Sequence, residues 1–258
     1  MCYGKWSKSC CFLFQYGIFG KNIRLTDSVD RCTIFIYEPI RSKIIGGCYK
    51  VENFCSLPKE KQRLVRDAAL RVFGQNRYRK ASIKDVADAA GISKSMVFYY
   101  FGTKKELYLY LVEYCSQVLT GVLLKQETVL PNDYFDRMYL AMDRQMKALK
   151  DEPFLLPFLR TMLSEADPEI TQELHKYKEH ASSFQSHYAF SEVDLSKFKE
   201  EVDPVVVLRM FVWMAEGFSR STSFDHGSDL QKAKDQFAEV LRLLKRVLYK
   251  EEFQWEKQ

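Results

Sequence analysis

Proline is scarce, at seven positions in 258 residues, and from residue 57 onward no apolar/polar alternation of period two is sustained. The first shortage leaves room for long helices and the second removes the signature of half-buried strands, so an all-α fold is expected. No uncharged apolar run approaches the ~20 residues that a membrane-spanning helix needs, which excludes that class of span. Glycine-rich phosphate loops, HExxH pairs and nucleophile elbows are missing too, so the common signatures of nucleotide, zinc-protease and serine-hydrolase chemistry are absent and no enzyme is expected. Seven cysteines are present, but none forms a CxxC pair and the four histidines lie far from them in sequence. His175, His180 and His187 are five and seven apart, off a shared helix face. Neither metal nor cofactor is therefore expected. The first 20 residues imitate a signal peptide, with Lys5 and Lys8 before an apolar stretch, yet Gln15 and Gly17 interrupt it and no small-residue cleavage site follows. The expectation is a cytoplasmic protein with reduced thiols.

What is present is a marked asymmetry of charge. From Lys59 to Lys105 there are twelve Lys and Arg against four Asp and Glu, a net +8, whereas Glu106 to Gln258 carries a net −7. A small basic module on a larger acidic body points to a polyanion partner and a separate sensing domain. Within the basic module, Val65, Ala68, Ala69, Val72 and Phe73 form one apolar helical stripe, with Pro58 placed for the first helical position and Gln75 near the end. Ser82 fits the N-cap of a second helix buried through Ile83, Val86, Ala87 and Ala90, and Gly91 fits its left-handed stop. Ser93 caps a third, very short helix, KSMVFYYF. Gly102 stops it, and Thr103 with Glu106 caps a fourth that runs to about Lys125. Further helices are expected at about 131–151, 153–166, 168–189, 203–223 and 228–253, separated by prolines and by the SEVDLS and DHGSD stretches.

Two helices joined by a four-residue turn with glycine make a helix-turn-helix, whose second helix enters the major groove of DNA. Ala87 permits close helix approach, Gly91 supplies the turn at +4 and Val97 is buried at +10. Tyr99 and Tyr100, side by side on so short a helix, cannot both face the core. On this pattern the third helix shows Lys94, Ser95, Tyr99 and Tyr100 on one side and Val97 and Phe101 on the other.

Residues 59–110, and above all GISKSMVFYYFGTKKEL, resemble the DNA-binding domain of the TetR family of bacterial repressors, in which a small-residue turn, a recognition helix of the form L-Y-x-[HY]-F and a K-x-x-L segment follow one another. The resemblance implies a homodimer that binds double-stranded DNA and releases it when a small-molecule effector fills a second, helical domain. It implies that Lys94, Ser95 and Met96 face base edges, that Tyr99 lies along the groove wall, and that Tyr100, Lys104 and the N-terminus of the fourth helix hold phosphates. Ser82, Lys84 and Ser93 mark the other ends of the interface. Phe98 stands where the family usually has tyrosine, losing a hydroxyl, and Tyr100 where it usually has histidine.

The organisation expected is therefore a poorly ordered extension over 1–55, a DNA-binding domain over 56–103 and an effector-binding and dimerisation domain over 104–258. Large soft side chains suit an adaptable apolar chamber, and Tyr114, Met138, Met142, Met146, Phe158, Met162, Phe184 and Trp213 are its candidate lining. The acidic Glu113, Glu165 and Glu216 would admit a cationic ligand. Trp213, Gly217, Leu241, Leu244, Val247 and Leu248 are the candidate dimer seam. A ligand-requiring activator, or a DNA-binding protein of the same fold with no role in transcription, is the alternative function. Six of the seven cysteines fall in the first 55 residues, which have no helical period. Val51 is accordingly read as a translation start, behind a Gly46-Gly47 pair whose codons can spell a ribosome-binding site. The alternative is a genuine arm reaching the minor groove through Lys43 and Lys50.

Overall fold

The computed structural model describes residues 51–124, 129–221 and 227–254. Ten α-helices run through them: α1 Glu52–Cys55, α2 Lys59–Gln75, α3 Ile83–Ala90, α4 Lys94–Phe101, α5 Lys104–Gly121, α6 Tyr134–Asp151, α7 Leu155–Leu163, α8 Thr171–Phe190, α9 Pro204–Ser221 and α10 Gly227–Leu248. Among the described residues there is no β-strand, only a single antiparallel bridge between Phe198 and Tyr249. None of their helices is long and apolar enough to cross a membrane. Residues 1–50, with the start-site and arm readings attached to them, lie outside the described residues.

Local chemistry fixes most helix ends of the basic module. The Ser82 hydroxyl accepts from Lys84 N at 3.1 Å, that of Ser93 from Met96 N at 3.3 Å and that of Thr103 from Glu106 N at 3.1 Å. Each satisfies an N–H that the helix itself leaves unpaired. Gly91 adopts φ 65°, which lets Ile92 N donate to Ala87 O at 3.0 Å and closes α3 in a Schellman turn. Pro58 is the N-cap of α2 rather than its first helical residue, and its carbonyl accepts from Gln62 N. The fourth expected helix, α5, stops at Gly121, short of Lys125. Leu123 and Leu124 both donate to Thr120 O, a tight turn that carries Leu123 into a second core while Arg144 donates to its carbonyl.

The first described residues depart from expectation. Residues up to 55 were read as extension, yet Phe54 is 0% exposed, with its ring 4.7 Å from Phe101 and 5.3 Å from Tyr110. Gln62 donates to the carbonyls of both Cys55 and Leu57, so α1 is sealed onto α2. Among the described residues, the packed module thus takes in 51–55.

The apolar core falls into two clusters. One joins α1–α5 to α7 and the start of α8, through Leu107, Leu111, Leu155, Phe158 and Leu174 among others. The other joins α6, the end of α8, α9 and α10 around Tyr134, Phe135, Phe198 and Tyr249. Packing therefore does not divide at residue 103. The helices α2 and α7 meet at Gly74, where a Cβ would stand 3.0 Å from Phe158 N and 3.1 Å from two atoms of Pro157. Glycine is what lets the backbones approach so closely. Two hydrogen bonds flank the contact: Thr161 Oγ1 donates to Phe73 O at 3.0 Å, and Tyr78 N donates to Glu165 Oε2 at 2.8 Å.

Candidate nucleic-acid interface

In α3, Ile83, Val86, Ala87 and Ala90 are all buried, as the stripe requires. The left-handed Gly91 turns the chain so that Ser93, the N-cap of α4, follows two residues later. Val97 and Phe101 are buried, and Ile92 and Met96 pack partly against the same core. The residues left outside on α4 are Lys94, Ser95, Phe98 and Tyr99, the last 59% exposed. Lys94 Nζ stands 5.7 Å from the Phe98 ring centre, and Ser93 and Ser95 share a hydrogen bond at the helix start. Ser82 is half-buried as the cap of α3, and Lys84 is exposed beside it. A short helix therefore presents a cation, a hydroxyl and two aromatic rings on a surface backed by a rigid core. Cation and hydroxyl suit base-edge and phosphate oxygens, and flat rings suit groove walls.

Residues 65–111, which span this unit, match the family described as bacterial regulatory proteins, tetR family. The chain therefore carries a TetR-type helix-turn-helix segment. It is similar to YuxN of Bacillus subtilis (strain 168), described as an uncharacterized HTH-type transcriptional regulator, at 27% identity over 133 residues. That match takes in 50% of this chain and 44% of the relative, so the chain spans less than half the length of the curated relative it matches. Solved structures of transcriptional regulators share the fold over more of the chain. One from Chloroflexus aurantiacus J-10-FL aligns at TM-score 0.61 and 19% identity, covering 77% of this chain and 98% of that one. Another is FadR of Bacillus subtilis, solved in complex with stearoyl-CoA. It aligns at TM-score 0.51 and 16% identity, covering 69% and 96%.

Two residues assigned to DNA by the family resemblance sit differently in this chain. Tyr100, expected on the exposed side, is only 8% exposed, with its ring edge-on to Phe54 at 6.1 Å. It follows Val97 by three residues, so it shares the buried face, and α1 roofs that face over. Lys104, expected to be free for phosphate, is half-buried: its Nζ donates to Arg79 O at 3.3 Å and lies 4.6 Å from the Tyr78 ring centre. Burial lowers its pKa, and the nearby carboxylates of Glu169, Asp167 and Glu165 oppose that shift. Lys105 is held by Glu173 at 2.8 Å.

The eight residues read as one chamber are distributed instead. Phe158, Met162 and Tyr114 belong with the core shared by the head, and Met138 and Phe184 with the other. Met142 is buried, Met146 half-buried and Trp213 51% exposed. Helical spacing put Met138, Met142 and Met146 on one side of α6, but two cores meet along that helix. A cleft of about 500 Å³ between α6 and α10 is lined by other residues, including Phe135, Tyr139, Leu241 and Arg242. Of the three acids, Glu113 is buried, accepting from Tyr177 Oη at 2.6 Å and from Gln117 Nε2 at 2.8 Å. No group of three or more His, Cys, Asp or Glu among the described residues is placed to hold a metal ion.

Of the seam residues, Trp213, Gly217 and Val247 are exposed. Leu241 is buried, and Leu244 and Leu248 pack against the second core. The stripe Phe237, Leu241, Leu244, Leu248 turns α10 inward, which leaves Leu243 beside Val247 on the outside and Val206 one heptad before Trp213 on α9. Sequence reasoning missed Phe54 and Gly74. An aromatic four residues before a helix-starting proline was the available signal for the first. For Gly74, a glycine in the last turn of an otherwise good helix was the signal, since it costs about 1 kcal/mol relative to alanine without a reason.

Proposed function

We propose that this protein is a transcriptional regulator, a homodimeric repressor that grips a pseudo-palindromic DNA site with two copies of α4 and releases it when a small ligand enters the helical body. The single observation that supports the dimer is the exposure of large apolar side chains on the last two helices, Val206 and Trp213 on α9 and Leu243 and Val247 on α10. Large apolar side chains exposed on one chain are a cost in water, and pairing of the last two helices with those of a second copy would remove it. One reading helix of eight residues covers few bases, and two-fold pairing doubles its contacts. Ser82, Lys84, Ser93, Lys94, Ser95, Met96, Phe98 and Tyr99 form the DNA-facing set, with Tyr100 acting from behind as support. Cytoplasmic placement and the lack of catalysis belong to the same reading.

The buried Met and Phe content of the body supports an apolar ligand, and Glu113 supports a cationic one. FadR, a protein of the same fold, was solved with stearoyl-CoA, so a long-chain acyl thioester belongs in the test set. Because the head and α7 share one core, a shift of α7 would carry α2 with it and change the spacing of the two reading helices. A mobility-shift assay on DNA upstream of the chain's own gene, with and without apolar, cationic and acyl-thioester compounds, tests the reading. A retarded band that a compound abolishes supports it. A band that appears only with compound favours the activator, and half-site binding by a monomer overturns the dimer.

A further inference from the structure

The loop between α2 and α3, residues 76–82, carries three exposed cations that the recognition helix does not account for: Arg77, Arg79 and Lys80. Their neighbours are fixed inward. Tyr78 is 2% exposed, its ring 5.1 Å from that of Tyr108, and Ala81 is buried. The backbone of the loop is pinned at four points. Tyr78 N donates to Glu165, Lys80 N and Ala81 N both donate to Arg77 O, and Arg79 O accepts from Lys104 Nζ. The cations thus stand on a rigid turn, with the loss of backbone entropy already met by folding.

Its place in the head matters as much as its charge. The loop ends at Ser82, the cap of α3, where the exposed Lys84 also lies. Through Lys104 the loop touches the first turn of α5, three residues beyond the end of α4. The first helix of a helix-turn-helix crosses the sugar–phosphate backbone while the second enters the groove. A turn that leads into that first helix, and is tied to the first residue of the helix that follows the second, stands next to the reading unit. The nearby carboxylates Glu165, Asp167 and Glu169 act on Lys104. Arg77, Arg79 and Lys80 form no ion pair with any described residue.

We propose that Arg77, Arg79 and Lys80 are a preorganised phosphate clamp, gripping the DNA backbone beside the recognition helix irrespective of sequence, while Lys104 holds the loop in place. The clamp rests on the DNA-binding reading above and adds residues that no helix cap or groove-facing side chain marks out. Arginine suits it, because its planar fork meets two phosphate oxygens at once.

Binding to a fluorescein-labelled duplex of arbitrary sequence, measured by anisotropy across a salt series, tests it without knowledge of the operator. Each lost phosphate contact makes the log–log salt slope shallower by about 0.9, so the Arg77→Ala, Arg79→Ala, Lys80→Ala triple variant is expected to lose about 2 to 3 from the slope. Lys80→Ala alone should lose about 1. A control triple on the body, Lys150→Ala, Lys176→Ala and Lys232→Ala, removes the same charge and should keep the slope. Circular dichroism confirms that each variant is folded. An unchanged slope in the loop variants, or an equal change in the control, overturns the clamp while leaving the DNA-binding reading intact. Failure of the unaltered protein to bind the duplex at low salt overturns both.

Discussion

Replacing Phe54 with alanine removes a ring that is fully buried against Phe101, Tyr110 and Tyr100. Truncating a buried phenylalanine costs about 3–5 kcal/mol, the value depending on how far the site can collapse. The low end applies here. α1 is one turn long, so it can settle toward the gap, and Gln62 still ties Cys55 and Leu57 to α2. The expected loss is therefore about 3 kcal/mol, or roughly 6–12 °C in melting temperature for a unit of this size. The assay is urea unfolding followed by near-ultraviolet circular dichroism, with Glu52→Ala, an exposed change on the same turn, as the reference. DNA affinity should fall as well, because Phe54 backs the α4 residues Tyr100 and Phe101. A loss below about 1 kcal/mol, the range of ordinary surface changes, would refute the placement of residues 51–55 in the head core.

Lys94→Ala should change base preference more than overall affinity, read by competition with sequence-varied duplexes, because lysine there faces base edges in the proposed docking. Gly91→Ala should destabilise the head by about 1–2 kcal/mol in thermal unfolding, since φ 65° is strained for any L side chain although space for the methyl exists. Trp213→Asp together with Val247→Asp should shift sedimentation from dimer to monomer and weaken operator binding; a persistent dimer would exclude this face. Asp133 gives a pH test. Burial alone would raise its pKa, but Lys197, Lys245 and the Asp136 N–H outweigh that and hold it below the ordinary value of 3.8. A carboxylate depressed in the folded state contributes stability above its unfolded pKa and loses it as pH falls through the folded one. Asp133→Asn should accordingly cost about 1.5–3 kcal/mol at neutral pH and flatten the decline in stability below about pH 4.

The helix ends and the turn were legible in the sequence because their causes are local. A serine or threonine oxygen reaches an N–H two or three residues away, and Gly91 needs no distant partner to be left-handed. The buried stripe of α3 follows from the same short-range periodicity. The all-helical class and the helix-turn-helix spacing therefore belonged to the sequence alone. Tertiary structure decided the rest. The rings of Tyr99 and Tyr100 differ by one position, and only the packing of α1 over Val97, Tyr100 and Phe101 fixes which is outside. Lys104 looks like a free surface charge until Tyr78 and Arg79 come back beside it from 25 residues upstream. Helical spacing groups Met138 with Met142 and Met146, but cannot say that two cores meet along α6. Neither could it place Leu241 inside and Leu243 outside, since both choices give α10 an apolar stripe. The glycine at 74 acquires a reason only where α7 crosses it, more than 80 residues later in the chain. Contacts between distant segments depend on how whole faces pair, and no local pattern carries that information.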